Sequence, residues 1–305
     1  MKITSHSTRF GFCSLIPVAL LVALVVMAFT LVTPVSSTQA QETFVFTAIP
    51  DEDESRLRER FDKVAGYLSQ HLGVTVKYVP VKSYAAAVTA FRNDQVQLAW
   101  FGGLSGVRAR ALVDGSEAIA QGFEDQAFVT YFIAHASTGL KPSAAFPMDI
   151  AGKIFTFGSK GSTSGRLMPE FHIRENLGKS PDDAFARVGF SGNHSKTIQL
   201  VQSGAYQVGA VNFAVWDNEL KAGKIDPDKV SIIWKTPPYP DYQWSIRGDV
   251  DARWGAGFKA RVTEVLLNLK DDDLLASFPR KSFIPASNAD YQPIVDVAKA
   301  IKLID

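Results

Sequence analysis

From Phe157 to Gly165 the chain reads Phe-Gly-Ser-Lys-Gly-Ser-Thr-Ser-Gly, with three consecutive hydroxyl side chains at Ser162, Thr163 and Ser164. The segment lies between a predicted strand and a predicted helix. Its hydroxyls and free backbone N–H groups therefore meet at a helix N-terminus, where an anion gains the dipole and the unsatisfied amide donors together. The tetrahedral oxygens of a phosphonate, phosphate, phosphite, sulfate or selenate suit that donor geometry. Ordinary helix capping by Ser or Thr is the alternative meaning of the same residues. Two other chemistries fail on spacing. A phosphate-binding Walker loop needs Gly-Lys five positions after its first glycine, and Thr163 stands there after Gly158. A nucleophile elbow needs Gly-x-Ser-x-Gly, and Gly161 to Gly165 has Thr163 at its centre.

His194, in Ser191-Gly192-Asn193-His194-Ser195, opens a second predicted helix after a strand, so its imidazole lies at the same sheet edge and can donate to an oxyanion. Ligands of open α/β sheets bind beyond the carboxyl ends of the strands, where both loops sit. His71 and His172 fall within predicted helices, and no His-x-x-x-His pair or carboxylate cluster builds a metal site. The matching edge of the first half carries Pro50-Asp51, the helix start Ser83-Tyr84, and Trp100-Phe101 before two glycines, aromatics that can wall a pocket or fill a core. Tyr131 near a first crossing adds a phenolic donor. Asp241-Tyr242 near a second crossing can accept a ligand proton or hold a hinge.

These loops need elements to aim them. Thr43 to Ile49 reads as a strand. A helix follows, with Leu57, Phe61, Val64, Ala65, Leu68 and Leu72 on one face and Gly73 as its stop. Alternating strands and helices continue to about Val113, which implies a largely parallel sheet with covered faces. Phe128 to Ala134 reads as a strand leaving this lobe. Lys153 to Phe157 opens a second α/β series that ends with the return strand Val230 to Trp234. The prolines at 237, 238 and 240 stiffen the crossing back, and helices near Gly255 to Leu269 and Ala289 to Ile301 are expected to pack on the first lobe.

The whole chain has 305 residues, and its N-terminal forty combine Lys2, Arg9, no acidic residue and an apolar run from Phe12 to Val32. That is the pattern of a secretory leader, with Thr38-Gln39-Ala40 suited to cleavage; the run is also long enough to serve as an uncleaved anchor. Either way the globular part is expected outside the cytoplasm. Removing Lys2 and Arg9 tips 32 basic against 31 acidic residues to a slight acidic excess, without a basic stripe, which disfavours nucleic acid. Cys13, the single cysteine, lies in the leader. The mature chain then has no disulfide, no cysteine metal site and no cysteine nucleophile.

With the strand-end Trp100-Phe101-Gly102-Gly103, the Ser162-Thr163-Ser164-Gly165 loop and His194 thirty residues beyond Ser164, the exported two-lobed chain resembles the phosphonate-type periplasmic substrate-binding proteins of ABC importers. The resemblance implies a two-lobed α/β fold of the type II periplasmic-binding class: residues 1–40 as signal peptide, 41–135 and 237–305 as the first lobe, 136–236 as the second, and a hinge at about 133–140 and 235–241. It implies an oxyanion held by Ser162, Thr163, Ser164 and His194 from one lobe and by Tyr84 and Tyr131 from the other, with Trp100, Phe101, Asn212 and Asp241 nearby. Family members that take an amino-substituted phosphonate carry an acid where this chain has Asn212, so a ligand without an amine is expected. The branch labelled as selenate binders is a further lead. An acid beside the anion favours a protonated ligand, whereas donors alone favour sulfate or selenate. The expected partner is a membrane permease, the expected state a monomer, and no cofactor is implied. The alternatives are a membrane-anchored sensor domain for the same ligand and an exported enzyme using Ser164 or Thr163 with His194.

Overall fold

The computed structural model describes residues 1–11 and 42–304; the apolar run from Phe12 and the cleavage point after Ala40 lie outside them. Among the described residues no helix is long and apolar enough to cross a membrane. In chain order the elements are β1 (Phe44–Ala48), α1 (Glu54–Leu72), β2 (Val76–Tyr78), α2 (Tyr84–Arg92), β3 (Leu98–Phe101), α3 (Gly103–Arg110) and β4 (Glu117–Gly122). There follow β5 (Thr130–His135), β6 (Ile154–Phe157), α4 (Met168–Leu177), α5 (Pro181–Ala184), β7 (Arg187–Phe190), α6 (His194–Gln202), β8 (Val208–Asn212), α7 (Phe213–Lys221) and β9 (Val230–Lys235). The last are β10 (Gln243–Ile246), α8 (Val250–Trp254), α9 (Phe258–Leu267), α10 (Asp272–Ser277), β11 (Phe283–Pro285) and α11 (Gln292–Ala300).

Two mixed sheets result, ordered β11-β4-β10-β3-β1-β2 and β7-β6-β8-β5-β9. The βαβ units pair in parallel, as the alternation of strand and helix requires. The strands that complete each sheet run antiparallel: β10, β4 and β11 in the first, β5 and β9 in the second. α1 shows why the elements form. Asp53 caps it by accepting from the Ser55 amide, Gly73 ends it at φ 69°, and Leu57, Phe61, Val64, Leu68 and Leu72 are buried along one face. Phe61 packs edge-on against Phe46, Trp244 and Phe278 in the first lobe's core, where each buried ring contributes about 1.5–3 kcal/mol. α9 and α11 bury Phe258, Val262, Leu266, Ile294 and Ala298 in that same core, so the C-terminal helices pack back on the first lobe as expected.

The position of the first crossing differs from the sequence reading. The boundary at residue 135 placed the strand ending there in the first lobe, but Thr130–His135 pairs along its length with β8 and β9 of the second sheet. The chain therefore crosses between β4 and β5, before this strand. Pairing partners about eighty and about a hundred residues away decide the matter, and local propensity carries no trace of them. The two crossings lie side by side, tied by the Phe128–Tyr239 bridge and by the Asp241 amide donating to the Asp125 carbonyl at 2.9 Å. Arg280 holds the Asp125 carboxylate through two 2.7 Å hydrogen bonds.

Candidate functional site

After β6 the chain does not pass directly into an α-helix. Thr163–Leu167 forms one turn of wide helix, in which the Met168 amide reaches back to the Thr163 carbonyl, before α4 begins. Thr163 and Ser164 head this turn, so their N–H groups have no carbonyl one turn back. The Ser162 hydroxyl accepts from the Gly165 amide at 2.9 Å, which points the chain into the turn. Gly165 is required by proximity: a Cβ there would lie 3.0 Å from His194 Cε1, 3.0 Å from Ser162 Oγ and 3.2 Å from Gly158 Cα. Ser162, Thr163, Ser164 and His194 are all buried.

His194 starts α6, capped by Asn193. Its Nδ1 accepts the Asn212 amide at 3.3 Å, and Nε2 lies 3.4 Å from Ser164 Oγ. Burial pushes its pKa down to about 3, so the ring is neutral. With Nδ1 accepting, the ring proton sits on Nε2, aimed toward the hydroxyl turn. The His194 amide in turn donates across the cleft to the Asp51 carbonyl at 2.8 Å.

The first lobe closes against this surface. Thr163 Oγ1 accepts from the Leu104 amide at 3.0 Å, and Asp241 Oδ1 accepts from the Gly103 amide at 2.8 Å, so the start of α3 meets both the turn and the second crossing. Asp241 is 1 % exposed and its Oδ2 has no hydrogen-bond partner. Burial pushes its carboxyl up to about 7, against the opposing pull of Thr163 and the Gly103 amide. Tyr84, capped into α2 by Ser83, has a ring 2 % exposed and a hydroxyl without a partner. Burial raises that hydroxyl's pKa, while the Ser162 and Tyr242 hydroxyls are close enough to oppose the shift. An orphaned donor and an orphaned acceptor thus face the same turn of hydroxyls and amides, at a buried contact between the lobes.

Other sequence-predicted residues take different places. Tyr131 lies on the face of β5 away from the turn, among Ile133, Ile198, Val211 and Val215, with Lys235 Nζ 4.8 Å from its ring centroid. Strand alternation turns its neighbour Thr130 toward the site instead: Thr130 Oγ1 donates to the Ser164 carbonyl at 2.9 Å and accepts from the Tyr239 hydroxyl at 2.5 Å. Trp100 and Phe101 belong to the first lobe's core; Trp100 stacks on Tyr242 with ring centroids 5.5 Å apart, and Phe101 packs edge-on against Phe91. Asn212 is a connector. Its Oδ1 caps α7 at Val215, and its Nδ2 donates to Tyr242 OH at 3.0 Å. Tyr242 donates onward to Asp51 Oδ2 at 2.7 Å. Asp51 is pushed up to about 6 by burial and by the neighbouring Glu52 charge. Its carboxyl thus bonds the wall of the site, one hydroxyl removed from Asn212.

Tyr239 and Thr130 were missed by sequence reading. The proline-rich run 237–240 reads as a stiff crossing, and the one available signal was the Tyr-Pro-Asp-Tyr pattern at 239–242, which contains Asp241.

A family profile described as the periplasmic substrate-binding protein of a phosphonate ABC transporter matches residues 46–291. A probable ABC transporter phosphite-binding protein, PhnD1 of Prochlorococcus marinus (strain MIT 9301), is 39% identical over 264 residues, spanning 84% of this chain and 89% of the relative. A phosphate-import protein, PhnD of Mycolicibacterium smegmatis, is 29% identical over 214 residues, spanning 64% of this chain and 63% of that one. The solved structure of P. marinus PhnD1 in complex with methylphosphonate has a TM-score of 0.82 at 37% identity, covering 87% of this chain and 100% of the other. A binding-protein component of a phosphonate transporter from Pseudomonas aeruginosa shares the fold, with a TM-score of 0.75 at 21% identity over 86% of this chain and 87% of that one. The chain belongs to the phosphonate-binding family of ABC-transporter periplasmic substrate-binding proteins.

Proposed function

We propose that this substrate-binding protein captures a small, singly protonated phosphorus oxyanion, of the phosphite or methylphosphonate type, outside the cytoplasm and presents it to a membrane permease. The observation that carries the reading is the pair of orphaned, buried polar atoms, Tyr84 OH and Asp241 Oδ2, opposite the Ser162–Ser164 turn. In this reading the Thr163 and Ser164 amides, the turn hydroxyls, His194 Nε2–H and Tyr84 OH donate to the anion's oxygens. Asp241 Oδ2 accepts the one proton that the ligand keeps.

That single acceptor sets the ligand class. Sulfate and selenate carry no proton near neutrality, so each would either set lone pairs against a buried carboxylate or require Asp241 to keep a proton of its own; a phosphonate, phosphite or phosphate can bring the proton. The reading therefore disfavours the selenate lead. The names of the relatives, phosphite, phosphate and methylphosphonate, fall on the favoured side. Asn212 is neutral and already bonds Tyr242, and Asp51 accepts from Tyr242 as well, so at that wall an amine-bearing phosphonate meets a neutral amide and an acid already paired with a phenol.

The tautomer of His194 argues against group transfer. A base for Ser164 would need a bare Nε2, but Nδ1 already accepts the Asn212 amide, which leaves Nε2 as the donor. Calorimetric titration with phosphite, methylphosphonate, phosphate, 2-aminoethylphosphonate, sulfate and selenate tests the proposal. Tight binding confined to the first three supports it, and equal or tighter binding of sulfate or selenate overturns it.

A further inference from the structure

Away from the oxyanion turn, a second set of charges spans the cleft. Glu52, at the end of the segment following β1, holds Arg60 at 2.5 Å through Oε1 and Arg56 at 3.5 Å through Oε2; both arginines come from α1 of the first lobe. Arg56 Nη1 also lies 3.4 Å from Glu219 Oε1, on α7 of the second lobe. Of the ion pairs among the described residues, Arg56–Glu219 alone joins the two lobes. Glu219 and Glu52 are only 2% and 3% exposed, whereas a quarter of the Arg56 side chain reaches solvent, along a groove of about 450 Å³ that Arg60, Asn218 and Lys221 also line.

Each charge has a second partner within its own lobe. Glu219 accepts from Ser195 Oγ at 3.2 Å and has Lys224 Nζ at 3.9 Å, and Arg56 keeps Glu52. Separation of the lobes would therefore break the Arg56–Glu219 pair without leaving either charge buried and unpaired, the condition that makes a buried pair irreversible. A contact of this kind biases closure and still allows it to reverse. It also touches none of the residues assigned to the anion, although Ser195 sits next to His194.

We propose that Arg56, acting through Glu219, is a positioning residue for ligand capture: it sets the balance between open and closed lobes, and with it the affinity for every ligand of the cleft by a common factor. The inference rests on the oxyanion-receptor reading for its affinity readout, but not for its conformational one.

The test combines calorimetry on methylphosphonate and phosphite with small-angle scattering of the unliganded protein, for Arg56→Gln, Glu219→Gln, the double variant and Arg56→Lys. Each single neutral variant is expected to weaken both ligands equally, by about threefold to tenfold, and to enlarge the unliganded radius of gyration. The double variant should be no worse than either single one, and Arg56→Lys should retain most of the wild-type affinity. Additive losses, losses that differ between ligands, or unchanged scattering in the single variants would overturn the proposal. A wild-type protein that binds neither ligand, with scattering that still expands in Arg56→Gln, would refute the receptor reading and uphold the latch.

Discussion

Asp241 and Tyr84 are buried polar groups that the protein alone leaves each with an unpartnered oxygen, and each predicts a different result on substitution. Tyr84→Phe removes a buried hydroxyl that has no partner, so thermal stability should hold or rise. Affinity for methylphosphonate should fall about tenfold, the worth of one hydrogen bond to a charged acceptor. Equal losses of stability and affinity in a melting and titration pair would assign Tyr84 to the core instead. Asp241→Asn replaces an acceptor by a group that can donate. Methylphosphonate should weaken about tenfold to a hundredfold while sulfate gains relative to it; an unchanged preference in competition titrations would remove Asp241 from the ligand's proton. At this scale the meeting of the hydroxyl run with His194 was legible, because both stand at helix starts on one sheet edge. Tyr131 was not, since nothing local says which face of a strand looks inward, and Thr130 turned out to hold the Ser164 carbonyl.

The wide turn Thr163–Leu167 carries the candidate site, and a Cβ at Gly165 would need its neighbours to give way by a few tenths of an ångström. Gly165→Ala would press a methyl against His194, Ser162 and the Gly158 backbone at once. A cost of about 1–3 kcal/mol is expected, read as a lower melting temperature together with weakened oxyanion binding. A variant that binds normally would show that the turn relaxes without disturbing the donors. α1 was readable from its apolar spacing and its Gly73 stop, and α6 starts at His194 as the sequence indicated. The short strands β4, β10 and β11 were not. β10 follows the proline-rich crossing and gains its identity from β3 and β4 on either side of it, an environment that only the folded sheet supplies. The same holds for β5, whose lobe is decided by β8 and β9.

For the molecule as a whole, the site stores its electrostatic cost in two carboxyls. Asp51 and Asp241 are raised from 3.8 to about 6 and about 7 by burial, so the folded state holds protons that the unfolded chain has released. Their contribution to stability is complete below about pH 3.8 and is lost as pH rises through about 6 and about 7. His194, lowered by burial to about 3, works in the opposite sense as pH falls below the usual histidine range. The clean comparison is therefore a difference: the stability of Asp241→Asn relative to wild type should grow from about pH 4 to about pH 7 and level off above it in denaturant titrations. A difference independent of pH would mean that Asp241 titrates as an ordinary carboxylate. The two-lobed class and the oxyanion-binding family were readable in the sequence; the place of Asp241 against the Gly103 amide and Thr163 was not, because only the fold brings the second crossing to them.

Phosphorus-31 magnetic resonance of methylphosphonate bound to the full protein tests the proposed selection of a protonated ligand most directly. Between about pH 6 and about pH 9 the free ligand loses its remaining proton and its resonance moves. The proton shared with Asp241 predicts a separate bound resonance whose position stays fixed over that interval. A bound resonance that follows the free ligand's titration would contradict it.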